Sequence, residues 1–349
     1  MAGGGGTRFW PLSRQTNPKQ LLNLSGHGLM INETIDRLLG IVEQENIFIV
    51  TNVSQAEKMK ASVGERMLSE HILTEPKARN TAACIGYAAM EIIQKHGDGI
   101  MCILPSDHYI KNIEEFQNIL NKAITVAEQE DRLVTIGIKP TFPATGYGYI
   151  NYEAKDGHSV YEVYEFVEKP NYEAAKQYVE SPGYAWNSGM FVWKASTILQ
   201  SFERFLPKLY QILLQIGEAM GSMDEYSTLQ ELYRHLPSIS IDYGVMERAD
   251  NVSVILGNFG WSDVGSWDNL GALYELDEAG NIFKGEQVNI STKSSICYAQ
   301  NRLIATVGVE NMIIVETSDA VLVCRKDLAQ RVKDVVDELK LKGLEKYLE

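Results

Sequence analysis

The sequence predicts an α/β domain followed by a small β-rich unit and a terminal helix, because the spacing of its apolar residues changes along the 349 residues. Between Ile31 and Ile138, helical spacing alternates with short apolar runs, which is typical of β-α-β units around a Rossmann-like, mostly parallel mixed sheet. Near Gly280 the pattern changes to closely spaced β-rich runs, which indicate a short β-helix or roll. We therefore predict one domain over residues 1–280 and a second over residues 281–349.

Each predicted element follows from a local pattern of apolar and polar residues. Helical spacing or high alanine content predicts helices at 31–42, Ala78–His96 and Ile113–Gln129. Apolar runs bounded by polar residues predict strands at Asn46–Asn52, Gly99–Leu104 and Leu133–Ile138. Strands with longer connections follow at Gly146–Tyr152, Val160–Val167 and Gly189–Lys194. The β-rich runs of the second unit are ICYA, LIATVGV, MIIVET and AVLVCR, and the segment from Leu328 to Leu339 has one apolar helical face.

Composition argues against several classes of partner. The net charge of −14 argues against nucleic acid, because contacts to phosphates need a basic face. The sequence contains no apolar run long enough to span a bilayer and no signal peptide pattern, so we expect no membrane association. Its four cysteines are far apart, which is typical of thiols in a reducing compartment and predicts a cytoplasmic protein.

The N-terminal glycine run predicts a phosphate-binding loop. The residues Gly3 to Gly6 allow backbone N–H groups to approach phosphate oxygens without a Cβ in the way. Arg8 and Lys19 can neutralise a triphosphate, and no acidic residue precedes Glu33. The P-loop pattern fails because Arg8 occupies the place of its second glycine, and the dinucleotide pattern fails because Phe9 replaces its third. A flexible tail remains an alternative for the glycines alone, but the continuation RFWPLSR argues against it.

Two aspartates could share a metal ion. Asp107 follows a predicted strand, at the sheet edge where open α/β sheets bind ligands, and Asp263 lies in the glycine- and tryptophan-rich turn GWSDVGSW. Two carboxylates can hold one Mg²⁺ whose remaining ligands are phosphate oxygens and waters, which lowers the repulsion between two phosphate groups. The alternatives are a helix cap for Asp107 and a turn-forming role for Asp263.

Weaker signals indicate a base and a sugar site. Glu75 precedes the segment RNTA, and its carboxylate could accept from both the N1–H and the N2–H donors of guanine, although Asn80 could also simply begin a helix. The segments TGYGY, EKP and NSG supply a glycine backbone, a carboxylate, an ammonium group and an amide. Such groups suit sugar hydroxyls and one phosphate, although each is more often an ordinary turn or surface pair.

As an ordered set these motifs resemble a known family. The order GGGGTRFWPLSR, EPKARNTA, LPSDH, TGYGYI, VEKP, WNSGMFVW, IDYGVMER and GWSDVGSW closely resembles the mannose-1-phosphate guanylyltransferases, or GDP-mannose pyrophosphorylases, of the sugar-phosphate nucleotidyltransferase family. The resemblance covers roughly residues 2–267. It implies a nucleotidyltransferase fold and a Mg²⁺-dependent reaction in which mannose 1-phosphate and GTP give GDP-mannose and pyrophosphate. The sugar phosphate would attack the α-phosphorus of GTP in line, with no protein nucleophile.

The resemblance also implies roles for individual residues. The catalytic residues would be Arg8, Lys19, Asp107 and Asp263, with Asp107 and Asp263 as the magnesium ligands. The nucleotide-binding residues would be Ala2, Gly3, Gly4, Gly6, Thr7, Glu75, Arg79, Asn80 and Ser106. The sugar-phosphate-binding residues would be Gly146, Glu168, Lys169 and Asn187.

The sequence departs from the family pattern at both ends. The glycine loop normally follows a short apolar strand, whereas Met1 and Ala2 alone precede Gly3, and we expect the native chain to start further upstream. Some relatives carry a long C-terminal isomerase domain, and we expect this chain to be monofunctional. Two alternatives stay open: the same chemistry on glucose 1-phosphate with UTP, and a non-catalytic regulatory protein that binds nucleotide sugars. A homodimer is compatible with the sequence.

Overall fold

The computed structural model describes residues 1–153 and 159–349, and the predicted α/β domain, β-helix-like unit and terminal helix are all present. The strands of the first part are β1 (Ile49–Asn52), β2 (Ile72–Glu75), β3 (Ile100–Ile103), β4 (Tyr109–Ile110), β5 (Leu133–Ile138), β6 (Tyr149–Tyr152), β7 (Val160–Val167), β8 (Tyr184–Lys194), β9 (Val252–Gly257) and β10 (Trp261–Ser262). The helices are α1 (Met30–Asp36), α2 (Val53–Val63), α3 (Asn80–His96), α4 (Ile113–Gln129), α5 (Tyr172–Glu180), α6 (Ala195–Phe205), α7 (Pro207–Ala219), α8 (Glu225–Leu232) and α9 (Val332–Leu341).

The central sheet has six strands in the order β3-β8-β5-β9-β7-β6. Four of them run in the same direction, but the opposed strands β7 and β8 lie between them. Among the described residues of this sheet, β5 and β9 therefore form its parallel pair, and the other neighbours are antiparallel. The sheet is mixed as expected, yet its pairing is mostly antiparallel, because the insertion between β5 and β9 supplies the strands that separate the parallel ones.

Helices cover both faces of this sheet, and alternation along β8 connects the two layers. Phe191 and Trp193 point into a core shared with α3, α6 and α7. Met190 and Val192 point into a second core, which α4 and α5 complete. Since side chains of a strand alternate between faces, a strand that is buried at nearly every position is covered on both sides, as the burial pattern of β8 shows.

The first two residues join the pair β1–β2 to the end of β3. The Ala2 amide donates to the Val50 carbonyl at 2.8 Å, and the N-terminal ammonium group donates to the Leu104 carbonyl at 2.9 Å. The Ser106 amide donates to the Met1 carbonyl at 3.2 Å. A mostly apolar cavity of about 500 Å³ lies beside these residues, between β1, β3 and α3. The glycine loop is therefore placed at the carboxyl ends of β1 and β3.

The C-terminal unit is built from β11 (Ile282–Lys284), β12 (Gln287–Ile290), β13 (Ile296–Ala299), β14 (Ile304–Val307), β15 (Met312–Glu316) and β16 (Val321–Arg325). Its strands stack in parallel in the orders β11-β13-β15 and β12-β14, which is the arrangement of a β-helix, and β16 adds an antiparallel edge. Val332 and Val336 of α9 pack into the same core as Phe9 and Trp267. The terminal helix thus packs on its own chain. Among the helices of the described residues, none is both long and apolar enough to cross a membrane.

Candidate functional site

The glycine loop is held by hydrogen bonds to its carbonyl groups. Gln20 Nε2 donates to the carbonyls of Ala2 and Gly4 at 2.7 and 3.1 Å, and the Thr51 hydroxyl donates to the Ala2 carbonyl at 3.0 Å. Asn52 Nδ2 donates to the Gly3 carbonyl at 3.4 Å. No sequence pattern indicates these three side chains, because neither the position of Gln20 nor the polar end of β1 shows which residues hydrogen-bond to the loop.

The N–H groups of the loop are left for a ligand. Within residues 1–153 and 159–349, the amides of Gly3 to Thr7 donate to no protein acceptor. Gly6 has a φ of 57°, and a Cβ there would lie 2.4 Å from Lys19 Cβ. This close approach requires glycine. Arg8 is exposed and forms no ion pair with a described residue. Backbone donors and a free guanidinium make the loop suitable for an anion.

Lys19 brings the two predicted metal-binding aspartates into one cluster. Its ammonium group lies 3.1 Å from Asp107 Oδ2 and also donates to the backbone carbonyl of Asp263. The Asp263 carboxylate accepts hydrogen bonds from the Tyr147 hydroxyl at 2.7 Å and the Gly265 amide at 3.1 Å. Burial would raise the pKa of Asp107, but Lys19, His108 and the N-terminal ammonium group together lower it. Asp107 is therefore held as an acceptor-only carboxylate.

The carboxylates of Asp107 and Asp263 fit a hard cation whose remaining ligands come from the substrates and water. No group of three or more His, Cys, Asp or Glu in the described ranges could hold a metal ion by itself. Asp107 and Asp263 offer carboxylate oxygens, the ligands that Mg²⁺ prefers, and Mg²⁺ usually takes one or two protein carboxylates together with substrate phosphates. The pair thus fits Mg²⁺ in a substrate complex better than a closed structural metal site.

His108 is a residue that the sequence analysis left unassigned. The Trp261 indole donates to His108 Nδ1 at 3.1 Å, and an indole N–H can only donate. Burial lowers the pKa of His108 to about 4, so the ring is neutral and its proton lies on Nε2. The ring lines a cavity of about 470 Å³, the main cavity of the site, and can donate one hydrogen bond there. The one indication of His108 in the sequence is its position next to Asp107 in LPSDH.

At one end of the main cavity, Glu75 is almost fully buried and accepts a hydrogen bond from the Tyr233 hydroxyl. Burial raises the pKa of Glu75, and the Tyr233 hydrogen bond opposes the rise. A Cβ at Gly3 would lie 3.2 Å from Glu75 Oε2, so the glycine loop passes directly beside the carboxylate. Arg79 donates to the Arg234 carbonyl, and Asn80 begins α3 with a φ of 65°.

At the other end, Glu168 and Asn187 face each other across the glycines before β6. A Cβ at Gly148 would lie 2.5 Å from Glu168 Oε2 and 3.3 Å from Asn187 Cβ, so the two side chains meet closely above this glycine. Lys169 forms an ion pair with Glu168 and remains more than half exposed. Asn187 lies inside β8, not at the strand end or loop that the sequence analysis predicted, because β8 begins at Tyr184.

One cavity of about 470 Å³ connects these groups. Of the selected residues, it is lined by Gly3, Gly4, Glu75, Arg79, Asn80, Gly146, Glu168, Asn187 and Asp263. Ala2, Gly6, Thr7, Arg8, Lys19, Ser106, Asp107 and Lys169 lie outside its lining. Ser106 and Ala2 are buried and act through backbone bonds, whereas Arg8 and Thr7 are exposed on the loop. The cavity therefore joins the buried carboxylate of Glu75 to Glu168 and Asn187, and the glycine loop lies beside Glu75.

Comparisons with known proteins identify the family of both parts of the chain. Residues 1–279 match the family model described as nucleotidyl transferase, and residues 285–339 match the model of the MannoseP isomerase/GMP-like beta-helix domain. The mannose-1-phosphate guanylyltransferase of Escherichia coli strain K12 is 39% identical over 359 residues, which cover 98% of this chain and 73% of that protein. The xanthan biosynthesis protein XanB of Xanthomonas campestris pv. campestris strain B100 is 40% identical over 352 residues, which cover 98% of this chain and 73% of that protein.

Among solved structures, the one described as mannose-1-phosphate geranyltransferase from Thermus thermophilus superposes with a TM-score of 0.89 at 35% identity. The match covers 97% of this chain and 98% of that one, so it includes both the α/β part and the β-helix. The family model spans most of the chain, and the two relatives share 39–40% sequence identity with it over 98% of its length. This chain belongs to the nucleotidyl transferase family.

Proposed function

We propose that this chain transfers GMP from GTP to mannose 1-phosphate and releases pyrophosphate, which makes it a mannose-1-phosphate guanylyltransferase. The observation that carries the proposal is that one cavity holds the buried carboxylate of Glu75 together with Glu168 and Asn187, and that the glycine loop passes beside Glu75. The similarity to guanylyltransferases at nearly 40% identity supports the same substrates.

The phosphates of GTP would bind along the glycine loop. The free amides of Gly3 to Thr7 supply hydrogen bonds, and the exposed guanidinium of Arg8 supplies charge. Lys19 is buried beside Asp107 and adds a second cation close to the loop. Both cations would stabilise the charge that develops on the leaving pyrophosphate, which is how enzymes of this kind accelerate transfer between phosphates.

Asp107 and Asp263 would hold Mg²⁺. When bound, the ion would neutralise charge between the phosphate groups of the two substrates. The Tyr147 hydroxyl and the Gly265 amide hold the Asp263 carboxylate in place. Lys19 compensates the charge of Asp107, so that carboxylate stays ionised in the free protein.

Glu75 would read the base. Guanine presents two adjacent donors on its Watson–Crick edge, at N1 and N2, whereas adenine and uracil do not. A carboxylate whose first oxygen is held by Tyr233 presents its second oxygen beside Gly3, in the cavity. Arg79, Asn80 and Ser106 stay in the predicted nucleotide-binding set, with Ser106 acting through the backbone bond to Met1.

Glu168, Lys169 and Asn187 would bind the sugar phosphate. The carboxylate and the amide face the cavity and suit sugar hydroxyls, and the half-exposed ammonium group of Lys169 suits the phosphate. The glycines at 146 and 148 let the sugar approach the backbone. An oxygen of the sugar phosphate then attacks the α-phosphorus of GTP, a new P–O bond forms, and the bond to pyrophosphate breaks. Positioning and charge neutralisation supply the rate enhancement.

One assay tests the proposal: pyrophosphate release from GTP in Mg²⁺, with and without mannose 1-phosphate. We expect release that requires both substrates and the metal. A panel of ATP and UTP with glucose 1-phosphate separates the alternative nucleotidyltransferase, which would prefer UTP. Tight binding of GDP-mannose without any pyrophosphate release would instead identify the regulatory alternative. A cytoplasmic location and a homodimer remain predictions of the sequence.

A further inference from the structure

Asp242 is a carboxylate in the cavity that the proposed mechanism does not use. It begins a short π-helical segment, Asp242–Met246, and lines the cavity between Glu168 and Asn187. We propose that Asp242 is a further sugar-binding residue, which accepts a hydrogen bond from a ring hydroxyl and helps to determine which sugar is used. This inference rests on the proposed function, because it assigns one more residue to the sugar end.

The orientation of Asn187 places its amide nitrogen toward Asp242. The backbone N–H of Gly189 donates to Asn187 Oδ1 at 3.1 Å, and the Thr135 hydroxyl lies 3.2 Å from the same oxygen. A backbone N–H can only donate, so the oxygen of the Asn187 amide is fixed on that side. Asn187 Nδ2 then donates to Asp242 Oδ1 at 2.9 Å. One oxygen of Asp242 is therefore assigned to Asn187.

The charge of Asp242 is less well compensated than that of Glu168. Within the described residues no lysine or arginine forms an ion pair with it, whereas Glu168 is paired with Lys169. Asp242 is half-buried, and burial together with the nearby charge of Glu168 raises its pKa to about 6. A carboxylate in this setting is costly to keep ionised. A ligand that supplies hydroxyl donors would stabilise the ionised carboxylate by hydrogen bonds. Carboxylates with shifted pKa values in clefts are also enriched at functional sites.

A purely structural role is the competing explanation, since Asp242 also orients Asn187. The variant Asp242→Asn distinguishes the two roles. Its amide oxygen can still accept from Asn187 Nδ2, so the support of Asn187 is retained. Its amide nitrogen then replaces the second carboxylate oxygen, so an acceptor for a sugar hydroxyl becomes a donor. The matched control is Asp250→Asn, because Asp250 is exposed and pairs with Arg204 on the outer surface, eight residues further along the chain.

The experiment measures steady-state kinetics of pyrophosphate release with both variants. For Asp242→Asn we expect the KM for mannose 1-phosphate to rise roughly tenfold or more, as for a lost hydrogen bond to a charged group. The KM for GTP should stay within about twofold, which also reports correct folding. Asp250→Asn should match the unmodified protein for both substrates. Asp242→Ala, which removes both oxygens, should raise the KM for the sugar phosphate at least as much.

Analogues of mannose 1-phosphate that each lack one ring hydroxyl identify the contact. One of them should bind the unmodified protein several-fold more weakly than the parent sugar, and this penalty should vanish in Asp242→Asn. An unchanged sugar-phosphate KM in Asp242→Asn, or equal penalties in both proteins for every analogue, would overturn the inference. If the unmodified protein prefers another sugar phosphate, the proposed substrate is wrong, and the same comparison with that sugar still decides the role of Asp242. If no sugar phosphate is used at all, both proposals fall together.

Discussion

The ammonium group of Lys19 lies 3.1 Å from Asp107 Oδ2, and the lysine side chain is almost entirely buried. The same ammonium group donates to the Asp263 carbonyl, so one buried cation connects two segments that lie 156 residues apart. Asp107 is partly buried, so its carboxylate would be costly to keep without a partner, and Lys19 offsets that cost in the free protein. The relationship also places a cation beside the glycine loop, because Gly6 packs directly against Lys19. The loop, the cation and the carboxylates therefore form one unit.

Replacing Asp263 with asparagine should lower turnover by at least about 100-fold, which corresponds to roughly 2.7 kcal/mol of activation free energy. The amide keeps the shape of the side chain but removes the charge proposed to hold Mg²⁺. Steady-state pyrophosphate release at saturating GTP, mannose 1-phosphate and Mg²⁺ measures the effect. Asp268→Asn serves as the control, because Asp268 directly follows the same turn but accepts a hydrogen bond from the Ser266 hydroxyl and does not line the cavity. Near-normal Mg²⁺-dependent turnover in Asp263→Asn would show that Asp263 is not a metal ligand.

Replacing Gly6 with alanine should destabilise the protein by about 2 kcal/mol or more, since a Cβ there meets both the side chain and the backbone of Lys19. The left-handed φ of 57° adds strain for any residue with a Cβ. Gly5→Ala is the matched control, because its nearest neighbour would be Thr7 Cγ2 at 3.8 Å. Urea denaturation gives both free energies of unfolding. Equal stabilities of the two variants would mean that the loop does not pack on Lys19 in solution.

Local patterns predicted most of the elements. The bounds of α4, β5 and β7 agree with the predicted segments residue for residue, because strong amphipathic or apolar runs define them. The strand β8 is longer than predicted, since its first residues pair with β6, and no local pattern reveals that partner. The predicted helix over residues 31–42 ends at Asp36, where turns replace it. The division at residue 280 stays a prediction.

The sequence predicts candidate site residues where one short motif contains the chemical groups that a ligand needs. Asp107, Asp263 and the glycine loop each had a structural alternative when taken alone, and they were selected because together they supply the cations, carboxylates and backbone donors that a nucleotide and a metal ion need. Tyr233 could not be found in this way, since it lies 158 residues from Glu75 and only the fold brings the two together. Asp242 was missed although its motif, IDYGVMER, was recognised, because one acidic residue near a helix start usually acts as a cap. The roles proposed for these residues stay predictions.

Replacing Tyr233 with phenylalanine should weaken GTP recognition and make it more sensitive to acid. The hydroxyl donates to Glu75 and opposes the rise of its pKa that burial causes, so its loss should raise that pKa further. Glu75 would then take up a proton at a higher pH and lose its ability to accept two hydrogen bonds from guanine. We expect the KM for GTP to rise several-fold, and more at pH 6 than at pH 8. Tyr226→Phe, on the exposed side of α8, is the control. Parallel pH profiles for Tyr233→Phe and the unmodified protein would contradict this role.

Asp242 should cost the free protein stability above pH 6, and Asp242→Asn should recover it. Burial and Glu168 raise the pKa of Asp242 to about 6, while Lys169 and Asn187, which also face this carboxyl group, partly oppose the rise. The folded protein therefore binds this proton more tightly than the unfolded chain, in which the pKa is near 4. Stability associated with this group is present below pH 4 and is lost as the pH rises through 6.

The neutral asparagine does not titrate, so the variant should be more stable than the unmodified protein at pH 8 by about 1 kcal/mol, after allowance for screening of a half-buried group. At pH 4 the difference should disappear. Urea denaturation at both pH values without ligand gives the two free energies of unfolding. A variant that is less stable at pH 8 would show that Asp242 serves the fold, whereas a gain in stability together with weaker sugar binding is the trade-off expected of a residue kept for its ligand.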